Sequence, residues 1–303
     1  MKITNKRRLL SFFLVFALGS KMAMAQDVDL FKSLDEQDKK DKKNQTDYTT
    51  AIFKTTRLVN GQSIENVGAG ILDVKISHRF GTVNQGAYDV WGLDNASMRM
   101  GLDYGITNWL MVGVGRSTFE KTFDGFTKVK LMRQSTGKIN NPLSISAAGS
   151  AIWKTVKDDK LNNYTDRFSY SFQLLFARKF NDYISLQLTP TVVHYNSVQH
   201  SSQKNDNYTL GVGGRIRLTK RVNLTTEYYY RFDKEDGYVN SLSAGFDIET
   251  GGHVFQLHFT NSTGMTERTF INETTDKWDN KGIHFGFNIA RVFTIVQPKA
   301  LKI

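Results

Sequence analysis

Apolar and polar residues alternate one by one along most of the chain after residue 70. In the segment 71–80, for example, Leu72, Val74 and Ile76 are separated by charged or hydroxyl-bearing residues. Successive side chains of a β-strand point to opposite faces, so this period of two predicts strands with one apolar and one polar face. The sequence therefore indicates an all-β fold.

Twelve segments share this alternation, and most of them have a similar length. A tilted strand needs about nine to eleven residues to cross a bilayer, whereas strands in soluble proteins average about five or six residues. We therefore predict membrane-spanning strands. The predicted strands are 71–80, 96–104, 109–117, 124–133, 143–154, 166–180, 183–195, 208–218, 222–232, 240–248, 253–260 and 282–293.

The connections between these segments alternate in length. The short links are 105–108, 181–182, 219–221 and 249–252, and the longer polar links are 81–95, 155–165, 196–207, 233–239 and 261–281. Links 118–123 and 134–142 fit the alternation less well. Outer-membrane barrels have short periplasmic turns and longer outer loops, and closure gives every backbone polar group a partner in lipid. We predict a transmembrane antiparallel up-and-down β-barrel of about 12 strands within residues 51–303. A secreted soluble β-sandwich is the alternative.

The first 25 residues have the three parts of a secretory signal. Basic residues precede an apolar run at Leu9–Leu18, and Ala23-Met24-Ala25 provides a small-x-small cleavage site. The apolar run is too short to span a membrane. We therefore expect residues 1–25 to be removed, with an uncleaved anchor as the alternative. Residues 26–50 carry many charges and little apolar surface, which predicts a flexible periplasmic segment or, alternatively, a short solvated helix.

Five short sequences between residues 51 and 134 resemble a known family. They are AIFKTTRLVNGQS at 51–63, ISHRFG at 76–81, GLDN at 92–95, YGIT at 104–107 and GRS at 115–117. In this order they are similar to an uncharacterised β-barrel family, classed as a domain of unknown function, from the envelopes of the Bacteroidetes. The resemblance implies a barrel in the bacterial outer membrane. It implies no activity and no catalytic residues.

Composition excludes several classes of function. The chain contains no cysteine, so disulfides, thiolate metal sites and a cysteine nucleophile are ruled out. The six histidines have no obvious metal-binding spacing, and we expect no cofactor. The net charge of the whole sequence is +11, but the expected mature chain has 35 basic and 29 acidic residues, a net charge of +6. Nucleic-acid binding therefore loses its main support.

Strand parity places many charged side chains on the inner face of the barrel. The predicted lumen-lining set has nine basic and four acidic members. The basic residues are Lys75, Arg79, Arg99, Lys128, Lys130, Lys179, Arg215, Arg217 and Arg231, and the acidic residues are Asp73, Asp103, Glu227 and Asp247. A basic ring in a pore concentrates anions, whereas paired charges would hold a closed interior. Both arrangements are compatible with the sequence.

An outer-membrane phospholipase is the enzymatic alternative. His258, Thr260 and Ser262 lie close together in the sequence, and a hydroxyl nucleophile needs a base within hydrogen-bond reach. Parity argues against this activity, because Leu257 and Phe259 occupy the lipid-facing positions and His258 should point into the lumen. We therefore predict a non-enzymatic protein.

The interpretation we favour is a narrow channel for small polar or anionic solutes, surrounded by outer-membrane lipid. The segment 51–70, including Lys54 and Arg57, could fold back into the mouth or lumen as a plug. The alternative is a non-conducting structural or interaction barrel that presents loops 81–95 and 261–281 to an unidentified envelope partner. Neither interpretation identifies the solute or the partner.

Overall fold

The structure is a computed structural model that describes residues 44–156, 163–198, 204–233 and 237–297. The predicted signal peptide and residues 26–43 of the predicted flexible segment lie outside these ranges. The chain divides into two compact units. Among the described residues, the small unit consists of 44–48 and 135–140, and the large unit contains the rest.

Almost all of the regular structure in the described residues is β-strand. Short 3₁₀ turns and the α-helix α1 (Glu267–Asn272) interrupt the links. No helix in the described part of the chain is long and apolar enough to cross a membrane. The strands are β1 (Thr46–Tyr48), β2 (Ile71–Thr82), β3 (Ala96–Gly105), β4 (Leu110–Ser117), β5 (Thr122–Met132), β6 (Ser135–Gly137), β7 (Ser144–Lys154), β8 (Phe168–Lys179), β9 (Ile184–Tyr195), β10 (Asp206–Arg217), β11 (Val222–Arg231), β12 (Ser241–Thr250), β13 (His253–Thr260) and β14 (His284–Thr294).

The small unit contains β1 and β6, which pair as an antiparallel two-stranded sheet. Thr46 lies opposite Gly137, and the Lys138 N–H donates to the Gln45 carbonyl at 3.3 Å. Main-chain pairing therefore gives residues 46–48, at the end of the predicted flexible segment, strand structure. β6 also explains why the link between β5 and β7 is unusually long.

The other twelve strands form a closed barrel in the large unit. All neighbouring strands are antiparallel, and β14 closes the cylinder by pairing with β2, with Ile289 opposite Ile76. Each predicted strand begins and ends within two residues of an observed one. The prediction of a twelve-stranded antiparallel barrel is therefore confirmed.

The apolar face of the barrel points outward and the polar face points inward. On β9, Leu186 and Leu188 are 47% and 48% exposed, whereas Gln187 and Thr189 are each 1% exposed. A soluble sandwich would bury the leucines instead. This polarity matches a barrel whose outer surface meets lipid and whose inner surface meets water or protein.

The two ends of the barrel differ in their connections. At one end, which we call the turn end, short links join β3 to β4, β8 to β9, β10 to β11 and β12 to β13. The chain also enters and leaves the barrel there, because the N–H of Ile295 donates to the Gly70 carbonyl at 2.9 Å. The opposite end, the loop end, carries the longer links, with two exceptions: the long link 133–143 leads from β5 to β7 at the turn end, and the link 118–121 from β4 to β5 at the loop end is short. Short turns face the periplasm in outer-membrane barrels.

Aromatic residues at the strand ends mostly face outward. Trp109, Phe180, Tyr183 and Tyr208 are all more than half exposed, as expected for interfacial girdles. Its place at a strand end predicts that Tyr195 is also a girdle residue, but the structure packs it inward against a buried cluster. Tyr195 is therefore not a girdle residue.

Candidate functional site: the barrel lumen

The N-terminal part of the large unit lies inside the barrel. We call residues 51–67 the plug. The plug makes a tight turn in which the Leu58 N–H donates to the Gly61 carbonyl at 2.8 Å and the Ser63 N–H donates to the Thr56 carbonyl at 3.0 Å. Leu58 and Ser63 are almost completely buried. The plug therefore fills the lumen from the turn end.

The Glu227 carboxylate of β11 holds the tip of the plug. It accepts hydrogen bonds from three successive main-chain N–H groups: Val59 at 3.2 Å, Asn60 at 2.8 Å and Gly61 at 3.0 Å. Charge-assisted bonds of this kind are stronger than neutral ones. Only glycine fits at position 61, because a Cβ there would overlap the hydroxyl of Tyr229 and lie 3.0 Å from its Cζ.

Other wall side chains bind the carbonyl groups of the plug. The Lys128 ammonium donates to the Ser63 and Thr56 carbonyls at 2.8 and 3.2 Å. The remaining donors are Gln256 to Leu58 at 2.5 Å, Asn288 to Val59 at 3.0 Å, Gln187 to Gln62 at 2.8 Å and Arg215 to Ala51 at 2.8 Å. The main chain of the plug is thus satisfied by side chains of the barrel, although the plug is not a strand of the sheet.

A second segment enters the lumen from the loop end. We call residues 261–274 the inner loop; it includes α1. Phe270 and Ile271 of α1 are fully buried, and the Phe270 ring packs edge-on against Tyr229 with centroids 5.1 Å apart. The interpretation of link 261–281 as a loop presented to partners is therefore wrong for this part, because its apolar residues pack inside the barrel.

The plug and the inner loop contact each other in the lumen. Glu267 of α1 accepts hydrogen bonds from Arg57 and Gln62 of the plug, both at 3.3 Å. Cavities remain on either side of this contact. One of about 320 Å³ lies beside the plug at the turn end, where Lys54 pairs with Glu249 at 2.6 Å. One of about 60 Å³ lies at the loop end, lined in part by Arg268 and Glu273. The plug and the inner loop together occupy the part of the lumen between these two cavities.

The predicted lumen charges divide into a buried group and a group near the turn end. Lys130, Lys179 and Arg217 are half-buried near the turn end. The buried basic residues are Lys75, Arg79, Arg99, Lys128, Arg215 and Arg231, and the buried acidic residues are Asp73, Asp103, Glu227 and Asp247.

Several of the buried cations are engaged by carboxylates. Lys75 contacts Asp103 and lies 3.1 Å from Asp73. Arg99 is bound by both oxygens of Asp124, with an Nε–Oδ1 distance of 2.9 Å. Because Lys128 and Arg215 bind plug carbonyls, most of the inner cations have partners while the plug is in place.

A family model matches most of the chain. A family described as a membrane-bound β-barrel domain (DUF5777) matches residues 53–293. The chain belongs to this family. It is a β-barrel of the outer membrane, as the sequence predicted. Comparison with curated proteins yields no match.

Solved outer-membrane channels resemble the family barrel in fold. The NanC porin is 8% identical, with a TM-score of 0.47, over 74% of this chain and 100% of that chain. The KdgM porin is 12% identical, with a TM-score of 0.44, over 74% and 99% of the two chains. An outer-membrane channel from Pseudomonas putida F1 is 14% identical, with a TM-score of 0.47, over 76% and 98%. Similarities this low carry no functional inference.

Several residues that build the site were missed from the sequence. Asp124, Gln187, Gln256 and Asn288 all occupy inward positions of their strands and are at most 6% exposed. Parity alone identifies these positions. The predicted lumen set contains only some of the charged residues at inward positions and none of the uncharged amides.

The histidine on which the phospholipase alternative depends lies in the interior of the barrel. His258 points into the lumen and is 1% exposed, as parity predicted, so it does not form the lipid-facing site that the phospholipase alternative needs. In the part of the chain that the structure describes, no group of three or more His, Asp or Glu residues could hold a metal ion.

Proposed function

We propose that this family barrel is a narrow channel for small polar or anionic solutes, and that the plug and the inner loop close it at rest. The observation that carries the proposal is the polarity of the wall behind the plug. Its inward positions are dominated by hydroxyl and amide side chains, including Ser146, Ser150, Ser171, Ser185, Thr189, Thr191, Thr209, Thr225, Ser241 and Ser243, all of them buried. A wall of this kind can be hydrated once the plug leaves.

Unsatisfied polar atoms support the same conclusion. Among the described residues, the hydroxyls of Ser146, Ser185, Thr209 and Ser241 and both side-chain polar atoms of Asn223 are buried without a protein hydrogen-bond partner. Buried polar groups normally have a partner, and water supplies it where protein does not. A permanently packed protein core would leave fewer such groups. The wall is therefore better suited to a water-filled path than to a fixed filling.

Single-channel recording in planar bilayers tests the proposal. The full-length protein should remain mostly closed, because the plug and inner loop occupy the lumen. Deletion of residues 26–68 should produce stable conductance. If the deleted protein is folded, as judged by its heat-dependent gel mobility and β-sheet circular dichroism, and still does not conduct, the non-conducting barrel is the correct alternative.

A reversible cross-link gives an independent test with the full chain. A Cβ at Gly213 of β10 would overlap the Leu58 side chain and lie 3.5 Å from its Cγ, which is within reach of a disulfide. Because the chain has no other cysteine, Leu58→Cys with Gly213→Cys can form only this bridge within a molecule. We expect opening events to disappear on oxidation and to return on reduction. Gly213→Cys alone is the control and should not respond to oxidation.

The inner cations predict the ion preference of the open channel. When the plug leaves, Lys128 and Arg215 lose the carbonyls they bind, and the lumen should then favour anions. Reversal potentials of the plug-deleted channel in a salt gradient should show this preference, and Arg215→Glu with Arg217→Glu should weaken it. Arg178→Glu with Arg291→Glu is the matched control, since both arginines face outward near the turn end. A cation preference in the unaltered lumen would contradict the prediction.

A further inference from the structure

The wall of the lumen binds the plug mainly through the plug's main chain. Six wall side chains make ten hydrogen bonds through their nitrogen or oxygen atoms with main-chain N–H and C=O groups of the plug. Those side chains are Lys128, Gln187, Arg215, Glu227, Gln256 and Asn288. Main-chain groups are common to all peptides. The plug's own side chains add fewer bonds to the wall, such as Arg79 to the Asn60 oxygen at 2.6 Å and Thr56 to Asp103 at 2.9 Å.

We infer that the lumen is a binding site for short peptides and that the plug occupies it as an intramolecular substitute for such a solute. This inference rests on the proposed function in one respect, which is that the plug must be able to leave. It names short peptides as the solute class of the channel. A wall made only of hydroxyl groups would not select peptides over other polar solutes.

Gln187 shows the pairing most directly. Its side-chain N–H donates to the Gln62 carbonyl at 2.8 Å, and its side-chain oxygen accepts from the Ile64 N–H at 2.8 Å. One amide side chain thus binds a C=O and an N–H group two residues apart, as a neighbouring strand would. A sugar presents hydroxyls and lacks this fixed spacing of donors and acceptors.

A hydrogen-bond network fixes the orientation of two other amides in the wall. Arg79 donates to the Asn288 oxygen at 3.2 Å, and the Asn288 side-chain N–H groups donate to the Gln256 oxygen at 2.9 Å and to the plug. Gln256 in turn donates to Asp247 at 2.8 Å, and Asp247 accepts from Thr225 at 2.6 Å. The remaining side-chain N–H groups of Gln256 and Asn288 are therefore already oriented toward carbonyl groups of the plug. This orientation lowers the entropy that the two side chains lose when a peptide binds.

The wall also accommodates one apolar side chain of the peptide. Leu58 of the plug lies against Gly213, where any larger residue would overlap it, and it belongs to a buried cluster that includes Ala148 and Leu175. The preferred solute is thus a peptide of a few residues with an aliphatic side chain. Charge matters less, because the main chain makes most of the contacts.

Equilibrium binding of a fluorescein-labelled Ala-Leu-Ala-Ala-Leu-Ala peptide to the detergent-solubilised full chain tests this inference. The protein is the variant Leu58→Cys with Gly213→Cys. Fluorescence anisotropy should show binding when the protein is reduced, because the plug can then be displaced. Oxidation should weaken binding at least about tenfold. Equal binding in both states would show that the peptide binds elsewhere and would overturn the inference.

Two further variants test the main-chain contacts in the reduced background. Gln256→Leu with Asn288→Leu removes two carbonyl-binding amides and should weaken peptide binding by roughly fivefold or more, the effect of losing two hydrogen bonds. Gln173→Leu is the matched control, because Gln173 is an equally buried inward amide whose side chain bonds to Thr191 and not to the plug. It should bind the peptide unchanged. Equal loss in both variants would contradict main-chain recognition.

Plug deletion separates this inference from the proposed function. The protein lacking residues 26–68 should bind the peptide more tightly than the reduced full chain, because no intramolecular competitor remains, and the peptide should block its conductance. Maltotriose at the same concentration should do neither. If the deleted protein conducts but neither binds the peptide nor is blocked by it, the peptide site is wrong and the channel stands. If it binds the peptide but does not conduct, the channel is wrong and the peptide site stands.

Discussion

Replacing Gly61 with valine is expected to raise the open probability of the barrel by roughly fivefold or more. A Cβ at this position would overlap the hydroxyl of Tyr229, and the two additional methyl groups would increase the overlap. Tyr229 cannot move aside, because it is 1% exposed and packs against Phe270 of the inner loop. Overpacking of this kind costs about 1–3 kcal/mol. The docked plug should therefore be roughly 5- to 150-fold less favoured relative to the displaced plug.

The substitution acts on the plug more than on the barrel. Gly61 lies within a lumen segment rather than in a barrel strand, so the hydrogen-bonded cylinder can close without it. Displacement of the tip would also break the three N–H contacts to Glu227. The effect on docking should thus appear as conductance while the unfolding of the barrel in urea changes little.

Single-channel open probability of Gly61→Val in planar bilayers measures the effect. Gly149→Val is the matched control, because Gly149 lies in β7 with no atom closer than 3.8 Å to the position of an added Cβ. That variant should behave like the unaltered protein. Gly61→Ala should open the channel less than Gly61→Val, and Tyr229→Phe should partly reverse its effect by removing the hydroxyl. An unchanged open probability in Gly61→Val would show that the plug does not control conduction.

The strands were predictable because the bilayer imposes a regular rule on them. Every spanning strand must present apolar side chains to lipid, as Leu186 and Leu188 do, so the alternation persists along nearly the whole strand. Strand length is fixed by the thickness of the membrane. Both constraints act on each strand separately, and neither depends on contacts that are distant in the sequence.

The filling of the lumen depends on distant contacts, so a local pattern does not predict it. Gln187 is 123 residues from its plug partner Ile64, and Glu227 is 167 residues from Asn60. The plug has neither a strand nor a helix period, and its resemblance to a known family supplied its position in the sequence but not its docking. Nothing in the local sequence states which amides it contacts.

The inner loop carried a signal that could have been used. Met265, Phe270 and Ile271 are apolar residues within a link otherwise rich in polar residues, and all three are at most 3% exposed. An exposed outer loop has little reason to hold three such residues. Their presence indicates a segment that packs inside the barrel. The average polarity of the link does not reveal these three residues.

Asp124→Leu is expected to destabilise the barrel by about 3–5 kcal/mol, the cost of leaving a buried charge without its partner. Arg99 is 2% exposed, and both oxygens of Asp124 bind its guanidinium. The arginine lies over two glycines of the wall, which leave room for it. A Cβ at Gly101 would come within 2.7 Å of its Nη1, and one at Gly115 within 2.5 Å of its Cζ.

Urea unfolding of the folded protein in lipid vesicles, followed by tryptophan fluorescence, measures this loss. Arg99→Met with Asp124→Leu should recover most of the stability, since neither charge of this pair then remains and an unbranched apolar side chain follows the path of the arginine. Asp206→Leu is the matched control, because Asp206 is exposed and pairs with the exposed side chain of His194 at 2.7 Å; exposed pairs contribute at most about 1 kcal/mol. If the double variant is as unstable as Asp124→Leu alone, the loss comes from the leucine rather than from the unpaired arginine. Recovery would instead show that the inner charges of this barrel stabilise it only as pairs. A basic residue in the lumen then becomes available to a solute only where its partner is the movable plug. Lys128 and Arg215 are two such residues.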